Sequence, residues 1–451
     1  MTSKDDLERL NAIERALLNR WPETRIAPTL ERIAALVDVL GSPQLSYPTI
    51  HIAGTNGKTT TTRLIDSLCF ELGMRTGRFT SPHLESFLER ISINGEPISA
   101  EGMIATYNDI ALYLDLIDSK MPNKLSFFEA MCALSFVAFA EFPVDVGIFE
   151  CGMGGEWDST NVINAAVSVI TPIGFDHMEY LGDTLEKIAT TKSGIIKDGS
   201  FAVLARQEPE VAQVLMHKAA TVDATPIREG IEYSVKSRAL AVGGQLISIA
   251  GVYGEYNDLF LPLHGAHQAA NAATAIAAVE VFAGESKLDE EVVREALVNA
   301  TSPGRCEIVM RNPTVIIDAA HNPHGAVSLK RTLADEFDFD AVIGVVAPMG
   351  DKDVEGILEE FENVMNRIIV TRNSSHRAAS VDELYDSAIQ IFGSERVSKS
   401  ESLHSAIAEA IEQAKLENAV NDHNTAVVIA GSVVSAGESR AIVRKLKESR
   451  S

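Results

Sequence analysis

Residues 49–66 read TIHIAGTNGKTTTTRLID, and the reading of this stretch decides the fold. A short β-branched run containing Ile50 and Ile52 breaks into Gly54, Thr55, Asn56 and Gly57, then passes into Lys58, Thr59 and a helical pattern. A strand that ends in a glycine-rich turn at a helix N-terminus builds a site for polyphosphate. The glycines let backbone N–H groups close round phosphate oxygens, the helix dipole adds positive potential, Lys58 adds a point charge, and a following hydroxyl is placed to reach Mg²⁺. ATP is therefore the expected ligand, held by Asn56, Gly57, Lys58 and Thr59. The spacing is distinctive, because Ile52 stands where the general phosphate-loop pattern has its first glycine and that glycine is Gly54 instead.

Outward from this loop, composition bounds the protein class. The chain has 451 residues, 46% hydrophobic and 23% charged, enough to bury sizeable cores in two or three domains. Sixty-three acidic residues against 39 basic ones give a net charge of −24, which disfavours nucleic acid and anionic membranes as partners. Cys69, Cys132, Cys151 and Cys306 form no CxxC pair and sit in apolar runs, as reduced core thiols of a cytoplasmic protein would. The N-terminal residues mix charge through a helical pattern and read as no signal peptide. The apolar run Ala130 to Ala140 is too short to span a bilayer and reads as a buried helix.

Upstream of Thr49 the pattern predicts two helices, separated at Trp21-Pro22 by an extended RIAPT stretch. Downstream, a helix to about Gly73 leads to a strand at RTGRFT, the polar loop Ser81-Pro82-His83-Leu84, and a hairpin turn at Asn94-Gly95. Helices are expected over 100–119 and 126–141. VDVGIFE (144–150) is an apolar run closed by a carboxylate, the form of a central parallel strand opening on a ligand crevice, and residues 165–177 repeat the plan ending in His177. A helix at 184–196, a stretch richer in short strands from Phe201 to Leu263, and helices at 266–282 and 289–300 complete the first half. Ser302-Pro303-Gly304 marks the expected boundary, giving domains 1–302 and 303–451. In the second, TVIIDAA, DAVIGVVA, RIIVT and TAVVIAG alternate with helices beginning near 323, 354, 381, 403 and 434. The expected fold class is α/β: a P-loop ATPase domain with a central, mostly parallel sheet, then a smaller Rossmann-like α/β domain.

Glu150 and His177, at the carboxyl ends of strands beside the phosphate loop, can both reach a magnesium set. Arg305 offers a guanidinium fork to phosphates, and Asp318 an acceptor for ribose hydroxyls. The wording GTNGKTTT, SPHL, GMGGEWDSTN, GFDHMEYLG, TKSGII, HQAANAATA, SPGR and DAAHNPHG resembles the folylpolyglutamate and dihydrofolate synthase branch of the Mur ligase superfamily over nearly the whole chain. Thr60 departs from it, standing where many folate ligases have a second glycine, and Glu156 and Trp157 stand where the family often has Arg and Leu.

The resemblance implies ATP-dependent addition of L-glutamate to a folate or dihydropteroate through an acyl phosphate. It implies Thr59 and Ser81 as Mg²⁺ ligands on the ATP side, with Glu150 shared and His177 on a second ion beside a carbamylated Lys192. Lys58, Glu150, His177 and Lys192 are the expected catalytic groups. Asn271, Arg305 and Asp318 are expected on the nucleotide, with His321 close by. The pterin substrate is expected against Ile26, Ala27, Pro28, Ser126, Phe128, Glu156, Trp157 and Asp158. A monomer is expected. A peptidoglycan Mur ligase would carry a separate domain for its UDP-sugar substrate, where only 48 residues precede Thr49. A non-catalytic nucleotide switch would not need the Glu150, His177, Arg305, Asp318 and His321 set.

Overall fold

The computed structural model describes residues 4–21, 27–421 and 423–448. Its largest sheet contains β1 (Thr49–Ala53), β2 (Thr76–Phe79), β3 (Ile91–Ile93), β4 (Glu96–Pro97), β5 (Val146–Glu150), β6 (Val167–Ile170), β7 (Phe201–Leu204) and β8 (Thr225–Arg228). The order β4-β3-β2-β5-β1-β6-β7-β8 is parallel from β2 across to β8, and antiparallel only where β3 and β4 join the edge. β1 and β5 are buried at every position, as central parallel strands covered on both faces must be.

Alternation along these strands feeds two separate cores. Ile50, Ile52 and Ile148 join Leu64 and Ile65 of helix Lys58–Glu71 and Ile276 of helix Ala266–Phe282. Phe149, one residue on from Ile148, points the other way to Phe136 and Phe139 of helix Phe127–Glu141. That helix approaches so closely that a Cβ on Gly77 would lie 2.6 Å from the Phe139 ring. It is the apolar segment read from sequence as buried, and among the described residues no helix is long and apolar enough to cross a membrane. The Asn94-Gly95 turn carries positive φ at both residues, 52° and 82°, as a two-residue hairpin between β3 and β4 requires.

One part of the sequence reading is corrected. The stretch from Phe201 to Leu263, expected to be richer in short strands, holds five of them but also the 13-residue helix Pro209–Thr221, which was not expected. Pro209 opens that helix where no N–H is needed, and Val211, Leu215 and Ala219 supply a buried stripe at helical spacing. The rest of the stretch adds β9 (Ser234–Ala241), β10 (Gly244–Ala250) and β11 (Glu255–Leu261), an antiparallel sheet packed on helix 266–282.

The remaining sheet holds β12 (Glu307–Arg311), β13 (Thr314–Ile317), β14 (Ala341–Val346), β15 (Arg367–Val370), β16 (Val397–Lys399) and β17 (Thr425–Ala430) in the order β12-β13-β17-β14-β15-β16. It is parallel apart from β12, and helices begin at Pro323, Val354, Val381, Leu403 and Val433. The four buried strands match the predicted ones. β12 and β16 were not expected: they are edge strands, one half-buried without alternation and one only three residues long.

Candidate active site between the two sheets

The carboxyl ends of β1, β5 and β6 face the carboxyl ends of β13 and β17 across a cleft of about 230 Å³. Asn56, Gly57, Lys58, Thr59, Ser81, Glu150, His177, Lys192, Asn271, Arg305, Asp318 and His321 all line it. The register Ile52↔Glu150 brings the end of β5 level with the phosphate loop. There Thr59 Oγ1 donates to Glu150 Oε1 at 2.7 Å, and the Ser81 N–H reaches Oε2 at 3.4 Å. Burial pushes the Glu150 carboxyl up, while the Lys58 charge acts in the opposite direction. Gly57 caps helix 58–71 with φ 87°, and a Cβ there would meet Asn271 Oδ1 at 2.7 Å, so glycine is required on both counts.

Two lysines converge on this loop. Lys58 Nζ donates to the carbonyls of Gly54 and Thr55 at 3.2 and 3.1 Å, and Lys192 Nζ donates to the same Gly54 carbonyl at 2.7 Å. Lys192 is 5% exposed; burial, and then repulsion from Lys58, lowers its amine to about 7. A carboxylate with nearby hydroxyl groups is a hard-oxygen donor set suited to Mg²⁺. Among the described residues no group of three or more His, Cys, Asp or Glu could hold a metal, at Glu150 or at His177. His177, whose imidazole is held at about 3 by burial, accepts from Lys352 Nζ through Nε2 at 3.3 Å.

From the other sheet, Asp318 at the end of β13 accepts the Cys306 and Ala320 N–H groups, each at 2.7 Å. Burial raises its carboxyl against the charge of Arg305. His321 Nδ1 donates to the Ala319 carbonyl at 2.9 Å. Sequence reasoning passed over four polar groups here. Asn56 Nδ2 donates to His324 Nδ1 at 2.7 Å and pairs with Asn322, while Asp176 receives Lys352 Nζ at 2.6 Å. Asn322 and His324 lie within DAAHNPHG and Asp176 within GFDH, so the motifs were visible although these roles were not.

The residues expected on the pterin side do not line the cleft. Ile26 lies outside the described residues; Ala27 is half-buried and Pro28 exposed. The Ser126 hydroxyl caps helix 127–141, accepting the Glu129 N–H at 3.1 Å. Phe128 packs on Phe79 at 5.8 Å and covers Gly152, a residue of the cleft wall. The Glu156 N–H donates to the Thr191 carbonyl at 2.8 Å, and the Trp157 ring covers Gly154. Asp158 is 3% exposed and accepts the N–H groups of Met153 and Thr160. These groups surround the loop that leaves the cleft at Gly152 and Met153.

A phosphate loop beside a buried carboxylate, closed over by a second parallel sheet, defines a Mur-type ligase. Residues 52–279 match the Mur ligase middle domain, and residues 304–433 match the Mur ligase glutamate ligase domain. The dihydrofolate synthase/folylpolyglutamate synthase of Mycobacterium tuberculosis is 48% identical over 462 residues, spanning 97% of this chain and 94% of that protein. Its Bacillus subtilis counterpart is 38% identical over 80% of this chain and 85% of its own length. Mycobacterium tuberculosis folylpolyglutamate synthase complexed with ADP superposes with a TM-score of 0.94 at 48% identity, over 97% of this chain and 99% of that one. Escherichia coli FolC in complex with DHPP and ADP gives 0.84 at 27% identity, over 97% and 98%. The chain belongs to the dihydrofolate synthase/folylpolyglutamate synthase family.

Proposed function

We propose that this chain is an ATP-dependent ligase that joins the amine of L-glutamate to a carboxylate of a folate acceptor, tetrahydrofolate or dihydropteroate. The observation that carries the reading is the pairing of Thr59 with Glu150 beside Lys58, facing Arg305 and Asp318 across one cleft. A folate carboxylate oxygen attacks the γ-phosphorus of ATP, the bond to ADP breaks, and an acyl phosphate forms. The glutamate amine then attacks the acyl carbon, loses a proton, and inorganic phosphate leaves. No nucleophilic side chain is needed, so catalysis rests on positioning and on charge.

Lys58 exchanges its two loop carbonyls for phosphate oxygens, and the N–H groups of Gly57 and Lys58 at the start of helix 58–71 close round them, while the Asn56 N–H stays with the Pro172 carbonyl. Arg305 bridges phosphates from the second sheet, Asp318 accepts from the ribose through its remaining lone pairs, and Asn271 and His321 complete the nucleotide contacts. Thr59 and Ser81 would hold one Mg²⁺, and His177 with a carbamate on Lys192 a second, with Glu150 shared between the two. Magnesium, when bound, offsets the negative charge that builds on the transferred phosphoryl group. The low basicity of Lys192 suits carbamate formation: a neutral amine adds to CO₂, releases a proton, and exchanges a cation for oxygen donors.

The pterin lies along the loop that carries Glu156, Trp157 and Asp158, beside Phe128 of helix Phe127–Glu141. The domains are 1–302 and 303–451, and the protein acts as a cytoplasmic monomer. ADP release with L-glutamate and, in turn, dihydropteroate, tetrahydrofolate and a UDP-muramoyl peptide tests the reading. Turnover is expected with a folate acceptor; activity with the muramoyl peptide alone overturns it. Lys192→Arg retains a positive charge yet forms no carbamate, so wild-type kcat in that variant would sink the carbamate role.

A further inference from the structure

Asp176 has no part in the reaction above, yet side chains from two loops of the second sheet converge on its carboxylate. Lys352 Nζ donates to Oδ1 at 2.6 Å, Asn322 Nδ2 donates to Oδ2 at 3.2 Å, and His321 Nε2 lies 3.4 Å from Oδ2. The Asp176 and Lys352 side chains are each 9% exposed.

An ion pair this buried between residues of facing sheets exists only while the two halves are together. Separation would return both charges to water and remove what each supplies the other, so the pair discriminates between closed and open arrangements. The same contacts reach the reaction centre from two sides. Oδ1 accepts the His177 N–H at 2.9 Å, and His177 holds φ 51°, a left-handed conformation that a non-glycine residue keeps only where its surroundings impose it. Asn322, besides bonding to Asp176, pairs with Asn56 of the phosphate loop.

We propose that Asp176 is a positioning residue for ligation: its ion pair with Lys352 clamps the two halves in the closed arrangement and thereby orients His177 and the phosphate loop. The consequence for turnover rests on the ligase reading, but the clamp itself does not. A structural salt bridge without this role would alter melting and leave closure and kcat in the folded protein untouched.

The test compares Asp176→Asn, Lys352→Met and Lys352→Arg in the full chain, by small-angle X-ray scattering with a non-hydrolysable ATP analogue and Mg²⁺, and by steady-state kinetics. Asp176→Asn and Lys352→Met should both show a larger radius of gyration and a kcat lower by about 10²-fold, the scale of a misplaced reacting group. Affinity for the ATP analogue should fall with kcat, since Arg305 and Asp318 reach the nucleotide from the second half only in the closed arrangement. Lys352→Arg should recover the closed profile and most of kcat. A folded Asp176→Asn protein with a wild-type profile and kcat overturns the clamp, and so does Lys352→Arg behaving like Lys352→Met. Where Asp176→Asn does not fold, the Lys352 pair decides alone. Wild-type protein inert toward every folate acceptor defeats the ligase reading, while the scattering comparison still judges the clamp.

Discussion

Glu150 and Asp158 are two carboxylates in one short segment, 1% and 3% exposed, and burial raises both. Their partners differ. Asp158 is used up by the chain, accepting the N–H groups of Met153 and Thr160 and the Thr160 hydroxyl, which shape the loop after β5. Glu150 accepts one hydroxyl from Thr59 and a long contact from Ser81, and its other support is the charge of Lys58 and Arg305 across an open cleft. Burial alone does not mark a functional carboxylate. What separates the two is the charge of Lys58 and Arg305, which reaches Glu150 across the open cleft.

The largest break in that comparison comes from the cation on the Glu150 side. Lys58→Ala should lower kcat by about 10²-fold or more, the scale for losing a main electrostatic stabiliser, while the urea midpoint stays close to wild type. Glu150→Gln should behave likewise and lose its Mg²⁺ dependence, because a neutral amide removes the charge a metal needs. Near-normal kcat in folded Lys58→Ala would remove this cleft as the reaction centre.

Asp158→Ala should do the reverse. It strands the Met153 and Thr160 N–H groups in a buried loop, at a cost of about 2 kcal/mol in stability, with Mg²⁺ dependence retained by the folded fraction. Equilibrium urea unfolding beside Mg²⁺ titration of activity separates the two carboxylates. If Asp158→Ala loses Mg²⁺ response at unchanged stability, the distinction between them fails.

Much of this was legible in the sequence, and the reason differs from place to place. Central strands announce themselves because burial on both faces demands continuous apolar runs such as VGIFE and AVIGVV, and the nucleotide-side residues sit in motifs directly after those runs. Helix Pro209–Thr221 was hidden because its stripe of Val211, Leu215 and Ala219 is sparse among polar residues. Asp176, Asn322 and Lys352 were hidden for another reason: their meaning is a contact between halves more than a hundred residues apart, and no local spacing encodes it. Asp158 shows the converse limit, since its position in a motif did not reveal that the backbone takes up its oxygens.

Lys192 sharpens the comparison through pH. The unfolded chain keeps this proton to about 10.5, whereas the folded protein gives it up near 7. Between those values the unfolded state binds more protons, so stability rises with pH, by at most about 1.4 kcal/mol per unit. Below pH 7 both states carry the charge, the slope from this group vanishes, and the full cost of burying an ammonium remains. Lys192→Met should therefore flatten the gain between pH 7 and 9, read from urea midpoints in CO₂-free buffer. An equal gain in the variant would mean that Lys192 keeps its proton on folding.

The smallest effect concerns the joint between the halves. Thr60, the residue that departs from the glycine common in folate ligases, is 2% exposed on helix 58–71, and its Oγ1 lies 2.7 Å from the Ser302 hydroxyl. Ser302, 5% exposed, stands two residues before Gly304, whose backbone leads into Arg305. A glycine at position 60 could not make this bond, so the threonine ties the phosphate-loop helix to the segment that delivers the guanidinium. Thr60→Val keeps the shape and strands the Ser302 hydroxyl, which should cost about 1 kcal/mol. Ser302→Ala should cost a similar amount, and the double variant less than the sum, because the second change removes a group already without its partner. Thr60 lines the cleft, but its hydroxyl is taken up by Ser302, so kcat should stay within about twofold. Strict additivity in urea unfolding would show that the two hydroxyls do not bond; a large fall in kcat without loss of stability would make Thr60 part of the site itself.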